Sequence, residues 1–152
     1  MSRISTYPSL ITRQDRHCRR SAAVVYRRRK RHIEFLLVSR RSDPDQFVLP
    51  AGHAKVGEPL RLAAARECLE EAGVTVLIFG PLARYTHVTG RGHSKPTMAF
   101  LAEGIDQSPS PEGREVVWAR LKQIRTGAVD VPNGVAEVLE YALACLQQDK
   151  AA

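Results

Sequence analysis

Aromatic residues, cysteines and long apolar runs are all scarce in this sequence. Nine of the 152 residues are Phe, Tyr or Trp, and the three cysteines, Cys18, Cys68 and Cys145, lie far apart. They form no CxxC pair and no metal spacing, so we expect reduced thiols and a cytoplasmic protein. No stretch reaches the ~18 consecutive apolar residues of a membrane helix, and no apolar region follows the N-terminal arginines as in a secretory signal.

Positive charge is concentrated in the first third of the chain. The formal net charge is +7, and residues 1–41 hold twelve Lys or Arg against two acids. This asymmetry favours a polyanionic partner through long-range attraction. A solvated arm that keeps the protein soluble is the alternative interpretation for residues 1–17. Aromatics for stacking and a recognition helix are both missing, so we expect no nucleic-acid partner except a capped RNA end as substrate.

The length suits one domain with one core, which we place at residues 18–152 after a basic irregular arm, residues 1–17. Apolar runs predict strands at 21–26, 33–39, 47–49, 74–79, 83–88, 97–102 and 115–118. Residues 42–45 read as a polar turn. Asn133 can cap a final helix whose core stripe is Val135, Val138, Leu139, Ala142 and Leu146. Mixed strands with two helices indicate a layered α/β domain.

The best-defined predicted element is a helix between Pro59 and Gly73. Proline is tolerated in a first helical turn, and glycine commonly ends a helix in the left-handed conformation. The residues between them are strong helix formers. Their spacing predicts one buried stripe, made of Leu62, Ala65, Leu69 and Ala72.

Three carboxylates lie on this helix at i, i+3 and i+4: Glu67, Glu70 and Glu71. They share one face, where each like-charge pair costs roughly 0.2–0.5 kcal/mol. A divalent cation would relieve that repulsion, and carboxylate oxygens are the ligands that Mg²⁺ and Mn²⁺ prefer. A solvated acidic face is the alternative for an isolated pattern. Here Arg66 can reach Glu70 at i+4, and Gly52 lets the preceding backbone approach a ligand closely.

The full spacing resembles the Nudix signature. It reads Gly52, five residues, Glu58, seven residues, Arg66-Glu67, two positions, Glu70-Glu71, one position, Gly73 and an apolar Val74. Cys68 stands where a larger aliphatic residue is usual, which is a mild departure. On these residues the chain is identified as a member of the Nudix hydrolase family. The resemblance implies an α/β/α sandwich with a mixed central sheet, an Mg²⁺ or Mn²⁺ cofactor, and hydrolysis of a phosphoanhydride linkage.

The same resemblance assigns roles to individual residues. Glu70 and Glu71 would bind the metal, and Glu67 would bind it or position the attacking water. Arg66 would orient the glutamates, while Glu58 and the carbonyl of Ala51 would complete the metal shell. The general base stays open between Glu70 and Glu71, with Glu115 as the downstream candidate and Glu103 and Glu112 as weaker alternatives.

The substrate prediction rests on two further segments. RRSAAVVY (19–26) and FLLVSRRSDPDQFVLPAG (35–52) are similar to the diphosphoinositol polyphosphate and dinucleoside polyphosphate phosphohydrolase branch. In that branch basic residues at these places hold several phosphates, as arginine does well. The corresponding candidates for substrate binding, with the basic loop before the sixth predicted strand, are Arg19, Arg20, Ser39, Arg41, Gly52, His53, Arg91, His93 and Lys95.

Two departures from that branch keep other substrates open. Ala51-Gly52-His53 stands where the branch has a run of glycines, and residues 129–138 lack its basic and aromatic residues. A sugar-nucleotide or oxidised-nucleotide pyrophosphatase is one alternative, and a ligand-binding regulatory module without catalysis is another. In each case we expect a small phosphorylated ligand, no membrane contact, and a monomer or homodimer.

Overall fold

A computed structural model describes the backbone of residues 5–6 and 18–151 and the side chains of residues 18–148. Within these residues, eight strands form one sheet between helices. The strands are β1 (Ser5–Thr6), β2 (Arg20–Arg29), β3 (His32–Arg40), β4 (Asp43–Val48), β5 (Ala51–His53), β6 (Val74–Val88), β7 (Ser94–Gln107) and β8 (Val116–Ala119). The helices are α1 (Leu60–Ala72), α2 (Leu121–Arg125) and α3 (Asn133–Ala151).

The sheet is mixed, as predicted. Its order is β1-β6-β7-β2-β3-β4, with β5 added to β2 and β8 added to β3. The β2–β7 pair is parallel, whereas every other pair described is antiparallel. The parallel register places Arg20 beside Thr97, so both strands begin at the same end of the sheet.

Alternation along β2 divides the interior into two cores. Ala22 and Val24 pack on the side of α3, whereas Ala23 and Val25 pack on the side of α1. Successive side chains of a strand point to opposite faces, so one apolar strand serves both layers. The helices therefore cover opposite faces, and the predicted α/β/α sandwich is confirmed.

The buried face of α1 differs from the predicted one. Leu62 and Leu69 are 55% and 46% exposed, whereas the buried residues are Ala63, Ala64, Cys68, Glu71 and Ala72. The predicted stripe was wrong because it followed the two leucines. Small side chains instead let the helix axis approach the sheet closely, and this orientation turns Glu71 inward.

Helix α1 ends where the sequence places it but begins at Leu60, with Pro59 as its N-cap residue rather than in its first turn. Gly73 ends the helix with φ of 71°, and its N–H donates to the Leu69 carbonyl at 2.9 Å. In α3, the five predicted core residues are all buried, as expected, but Asn133 is the first residue of the helix rather than its cap.

Several strand predictions need correction. The segments 74–79 and 83–88 form one continuous strand, β6, in which register shifts at Ile78/Gly80 and Pro81/Ala83 accommodate the glycine and proline. The predicted turn 42–45 lies mostly within β4. The short elements β5 and α2 carry too few residues for a periodic signal, and the sequence did not predict them.

The predicted basic arm, residues 1–17, lies outside the described residues except for the backbone of β1, which pairs with β6. That short strand was not predicted. Cys18, Cys68 and Cys145 form no disulfide with one another. None of the helices in the described part of the chain is long and apolar enough to cross a membrane.

Candidate active site

The close approach of β5 to α1 depends on Gly52. A Cβ atom at this position would lie 2.2 Å from Oε1 of Glu67, well inside van der Waals contact. Only glycine therefore leaves room for the carboxylate against the strand. The loop that follows β5 leads directly into α1, so the signature glycine and the signature glutamates are brought together in space.

Arg66 organises the acidic side chains of α1 and its preceding loop. Its guanidinium donates to both oxygens of Glu58, at 2.9 Å each. Its Nη1 donates at 3.0 Å to Glu67 and at 3.0 Å to Glu70, and its Nη2 donates at 3.1 Å to the His53 carbonyl. The bidentate pair with Arg66 lowers the pKa of Glu58 to about 2, assisted by the backbone N–H of Lys55.

Glu71 has a different environment from the other glutamates. It is 4% exposed, and its Oε2 accepts from the Ala51 N–H at 3.4 Å. Burial raises the pKa of Glu71 to about 8, which the nearby Arg114 guanidinium, 3.5 Å from Oε1, partly opposes. This carboxylate is therefore pre-positioned at the sheet but poorly compensated as an anion.

The residues fit a hard divalent cation by the chemistry of their donors. Four carboxylates supply oxygen only, and burial of Glu71 beside Glu67 leaves negative charge that a cation would offset. Among the described residues, no three His, Cys, Asp or Glu side chains already stand at metal-ligand spacing. Nη1 of Arg66 occupies one oxygen of Glu67 and one of Glu70. Some of these carboxylates would have to move for three of them to surround one cation.

A cleft of about 210 Å³ opens beside Glu71 and is strongly cationic. Glu71 is its one acidic lining residue among those described. Four arginines line it from three separate parts of the chain: Arg20 at the start of β2, Arg40 and Arg41 at the end of β3, and Arg114 before β8. The remaining lining residues are Ser42, Val48, Leu49, Ala51, His87, Thr89 and Gly90.

Two of the cleft arginines, Arg20 and Arg40, are held by hydrogen bonds, whereas the side chain of Arg41 is 71% exposed. Arg20 donates from Nη1 to Thr97 Oγ1 at 3.0 Å. Arg40 donates to Gln46 at 2.7 Å and also to the Val88 carbonyl. Fixed guanidinium groups lose less conformational entropy when they bind an anion than flexible ones do.

Arg114 connects the cleft to the segment before β8. Its Nε and the Nη2 of Arg41 both donate to Glu112 Oε2, at 2.9 Å and 2.8 Å. Its Nη1 donates to the Ser39 carbonyl at 3.3 Å, and Ser39 Oγ accepts from the Glu115 N–H at 3.1 Å. Ser39 thus holds the segment in place, and Glu112 is joined to the cleft through two arginines.

A profile of the NUDIX domain matches residues 17–140. The chain belongs to the NUDIX family. Nudix hydrolase 21, chloroplastic, of Arabidopsis thaliana is 29% identical to this NUDIX chain in a match of 133 residues that covers 76% of this chain and 66% of the relative. The chain thus spans slightly less than two thirds of that relative's length.

Solved structures give the same family. An Ap4A hydrolase binary complex of C. elegans is similar at a TM-score of 0.68 and 26% identity, covering 85% of this chain and 97% of the other. A NUDIX hydrolase from Nitrosomonas europaea is similar at a TM-score of 0.68 and 25% identity, covering 82% and 87%. The predicted family and fold are confirmed, and the named relatives are hydrolases.

The structure brings most of the predicted NUDIX site together. Arg66 contacts Glu58, Glu67 and Glu70, and Glu71 lies beside Ala51. Arg20 and Arg41 line the cleft. The other predicted substrate-binding residues and Glu115 do not line it: Arg19, Ser39, Gly52, His53, Arg91, His93, Lys95 and Glu115. Of these, Arg19, His53, Arg91, His93 and Glu115 are exposed.

Sequence reasoning missed three charged or titratable side chains of the cleft. Arg40 adjoins the predicted Arg41, and attention to every basic residue of that turn would have included it. Arg114 follows a proline-rich loop and His87 lies late in β6, and neither has a local pattern that predicts its direction. Their places come from the packing of distant strands, which no spacing in the chain reports.

His87 provides a pH-dependent test of the cleft. Its pKa falls from 6.5 to about 4, chiefly because it is partly buried and also because cations surround it. The charged and titratable neighbours are Arg20, Arg40, Lys95 and His53. The unfolded chain therefore takes up the proton first, and stability present above pH 6.5 is lost as the pH falls through about 4.

As the pH falls from 6.5 to 4, we expect the melting temperature of a substrate-free His87→Asn variant to rise relative to that of the unaltered chain. His32→Asn, at an exposed residue at the start of β3, is the matched control and should keep the wild-type profile. An equal slope in all three proteins, measured by calorimetry, would contradict the environment assigned to His87.

Proposed function

We propose that this NUDIX domain is a divalent-cation-dependent hydrolase that cleaves a phosphoanhydride linkage in a small molecule with several linked phosphates. The favoured substrate class is a dinucleoside polyphosphate or a diphosphoinositol polyphosphate. One observation carries the proposal: four arginines line a single cleft that opens directly beside Glu71 of the signature helix. A ligand that fills it must bring several negative charges.

The composition of the cleft supports a ligand recognised mainly by phosphate. No Phe, Tyr or Trp is among its described lining residues. Nucleobases are commonly bound by aromatic stacking, whereas arginine binds phosphate through paired hydrogen bonds. The similarity to a C. elegans Ap4A hydrolase, whose name refers to a dinucleoside polyphosphate, agrees with this class.

The proposed mechanism divides the work between two groups of residues. Glu67, Glu70 and Glu71 would hold Mg²⁺ or Mn²⁺, with Glu58 and the Ala51 carbonyl as further ligands. When bound, the cation would lower the pKa of a water molecule and neutralise charge on phosphate oxygens. The cleft arginines would bind and orient the phosphate chain, so that a scissile phosphorus faces α1.

The proton of the attacking water needs an acceptor near α1. Glu70 has a side chain 45% exposed, whereas that of Glu71 is 6% exposed. We therefore propose Glu70 as the base, because water can reach its free oxygen. Glu115 stays the downstream alternative; its N–H is bound by Ser39, and the residue is exposed beside the segment that carries Arg114.

A substrate screen tests the proposal. The chain, freed of metal by chelator, is assayed with Mg²⁺ and with Mn²⁺ on four substrates: a dinucleoside polyphosphate, a diphosphoinositol polyphosphate, a nucleoside diphosphate sugar and an oxidised nucleoside triphosphate. We expect cation-dependent hydrolysis that is fastest with one of the first two. Preference for either of the last two would overturn the substrate class. Binding without hydrolysis would favour a regulatory module.

Arg20→Ala should weaken binding of substrates with longer phosphate chains by about tenfold or more, since a hydrogen bond to a charged group is lost. Shorter substrates should be affected less. Arg29→Ala is the control, because it removes the same charge from the exposed far end of the same strand. KM values across a series of increasing phosphate number provide the measurement. A uniform effect on all chain lengths would remove the evidence for a polyphosphate-binding cleft.

A further inference from the structure

Ser21 has a buried hydroxyl that the fold itself does not satisfy. The residue is fully buried in β2, and its Oγ has no hydrogen-bond partner among the residues that the structure describes. Thr97, an equally buried hydroxyl on the adjacent strand, accepts from Arg20 and donates to the Lys95 carbonyl. An unsatisfied buried hydroxyl costs free energy and is uncommon, which suggests that its partner arrives with another state of the protein.

The strand register places this hydroxyl beside the acidic cluster. Ser21 is directly opposite Gly52 in the antiparallel β2–β5 pair. Opposed residues project to the same face of a sheet, with Cβ positions about 4.5–5.5 Å apart. The Cβ position of Gly52 is the one that lies 2.2 Å from Oε1 of Glu67. The hydroxyl and the carboxylate thus share the space between the sheet and α1.

The alternation of side chains along β2 independently places Ser21 on the α1 side of the sheet. Ala23 and Val25 pack against the core beneath α1, and Ser21 has the same parity. Its parallel neighbour across to β7, Met98, also belongs to that core. Arg20 has the opposite parity and contacts Thr97 instead. Two adjacent residues of β2 therefore serve different parts of the site.

Arg66 and a bound cation would compete for the Glu67 carboxylate. In the structure its Oε1 accepts from Nη1 of Arg66, which is shared with Glu70. A carboxylate that turns from Arg66 toward a cation gives up that hydrogen bond. We propose that Ser21 is a positioning residue whose hydroxyl then donates to the Glu67 carboxylate and fixes its orientation toward the cation. This inference rests on the proposed metal-dependent function.

The test has two measurements on the full chain. Calorimetry without substrate gives the Mn²⁺ affinity, and thermal unfolding in the presence of chelator gives the stability of the metal-free protein. Ser21→Ala should weaken Mn²⁺ binding by about tenfold or more, as loss of a partner to a metal ligand does. Its melting temperature in chelator should stay equal or rise, since an unsatisfied polar group has been removed. Ser21→Thr retains the hydroxyl and should restore affinity; Ser21→Cys, a weaker donor of similar size, should bind Mn²⁺ as weakly as Ser21→Ala.

The separate effects on kcat and KM distinguish a positioning role of Ser21 from a packing role. At fixed low Mn²⁺, Ser21→Ala should lower kcat with little change in KM, and added Mn²⁺ should recover most of the loss. Thr126→Ala removes an exposed, hydrogen-bonded hydroxyl at the end of α2 and should change neither affinity nor kcat. Wild-type Mn²⁺ affinity in Ser21→Ala would overturn the inference about Ser21 but leave the proposed function standing. If the unaltered chain bound no Mn²⁺, the proposed function and the inference would both fail.

Discussion

Glu70→Gln is expected to lower turnover by at least about a hundredfold while the protein stays folded. The substitution keeps the shape of the side chain but removes a charged oxygen donor and a proposed proton acceptor. Its effect on folding should be small, because the Glu70 side chain is 45% exposed and its described contact is an ion pair with Arg66. Steady-state rates at saturating Mg²⁺ and Mn²⁺, with circular dichroism for folding, provide the measurement.

Glu140→Gln is a matched control for that variant. Glu140 is also a partly exposed helical glutamate paired with an arginine, Arg125, at 2.7 Å, but it lies on α3 away from the cleft. The control should retain full activity. Equal activity of Glu70→Gln and the unaltered chain would contradict the assignment of α1 as the cation-binding element.

Gly52→Ala is the second substitution with a large expected effect. The added methyl would occupy a position 2.2 Å from Oε1 of Glu67, so the flexible carboxylate must move and the backbone need not. We expect Mn²⁺ affinity and turnover to fall by about ten- to a hundredfold, because the methyl group would fill the space that the Glu67 carboxylate uses between β5 and α1. Far-ultraviolet circular dichroism should remain unchanged.

Gly80→Ala is the control for the added methyl. This glycine also lies within a strand, but a Cβ there would meet no atom within 4 Å. Its activity and its Mn²⁺ affinity should match those of the unaltered chain. Should Gly52→Ala behave like Gly80→Ala, the close packing of Glu67 against β5 would have no role in cation binding.

The sequence predicted the acidic half of the site better than the cationic half. Glu58, Arg66, Glu67 and Glu70 lie within one loop and one helix, so their separations follow from local geometry alone. Arg20, by contrast, reaches the cleft through the parallel register of β2 and β7, which joins residues 77 positions apart. Spacing along the chain carries no information about that register.

The sequence also did not predict which face of α1 packs against the sheet. Hydrophobic periodicity assigned its leucines to the core, but the closest packing is available to alanine and cysteine, which present less bulk to the sheet. The burial of Glu71 follows from that choice, and with it the rise in its pKa. A pattern of apolar residues reports which faces are hydrophobic, not which face allows two elements to approach most closely.

Because side chains alternate between the two faces of β2, the site depends on the register of this strand. Arg20 faces the cleft and Ser21 faces the side of α1 because the strand enters the sheet in one register. A shift of that register by one residue would turn both side chains to the opposite faces. One inserted or deleted residue at the start of β2 would therefore disturb the cleft and the acidic cluster together.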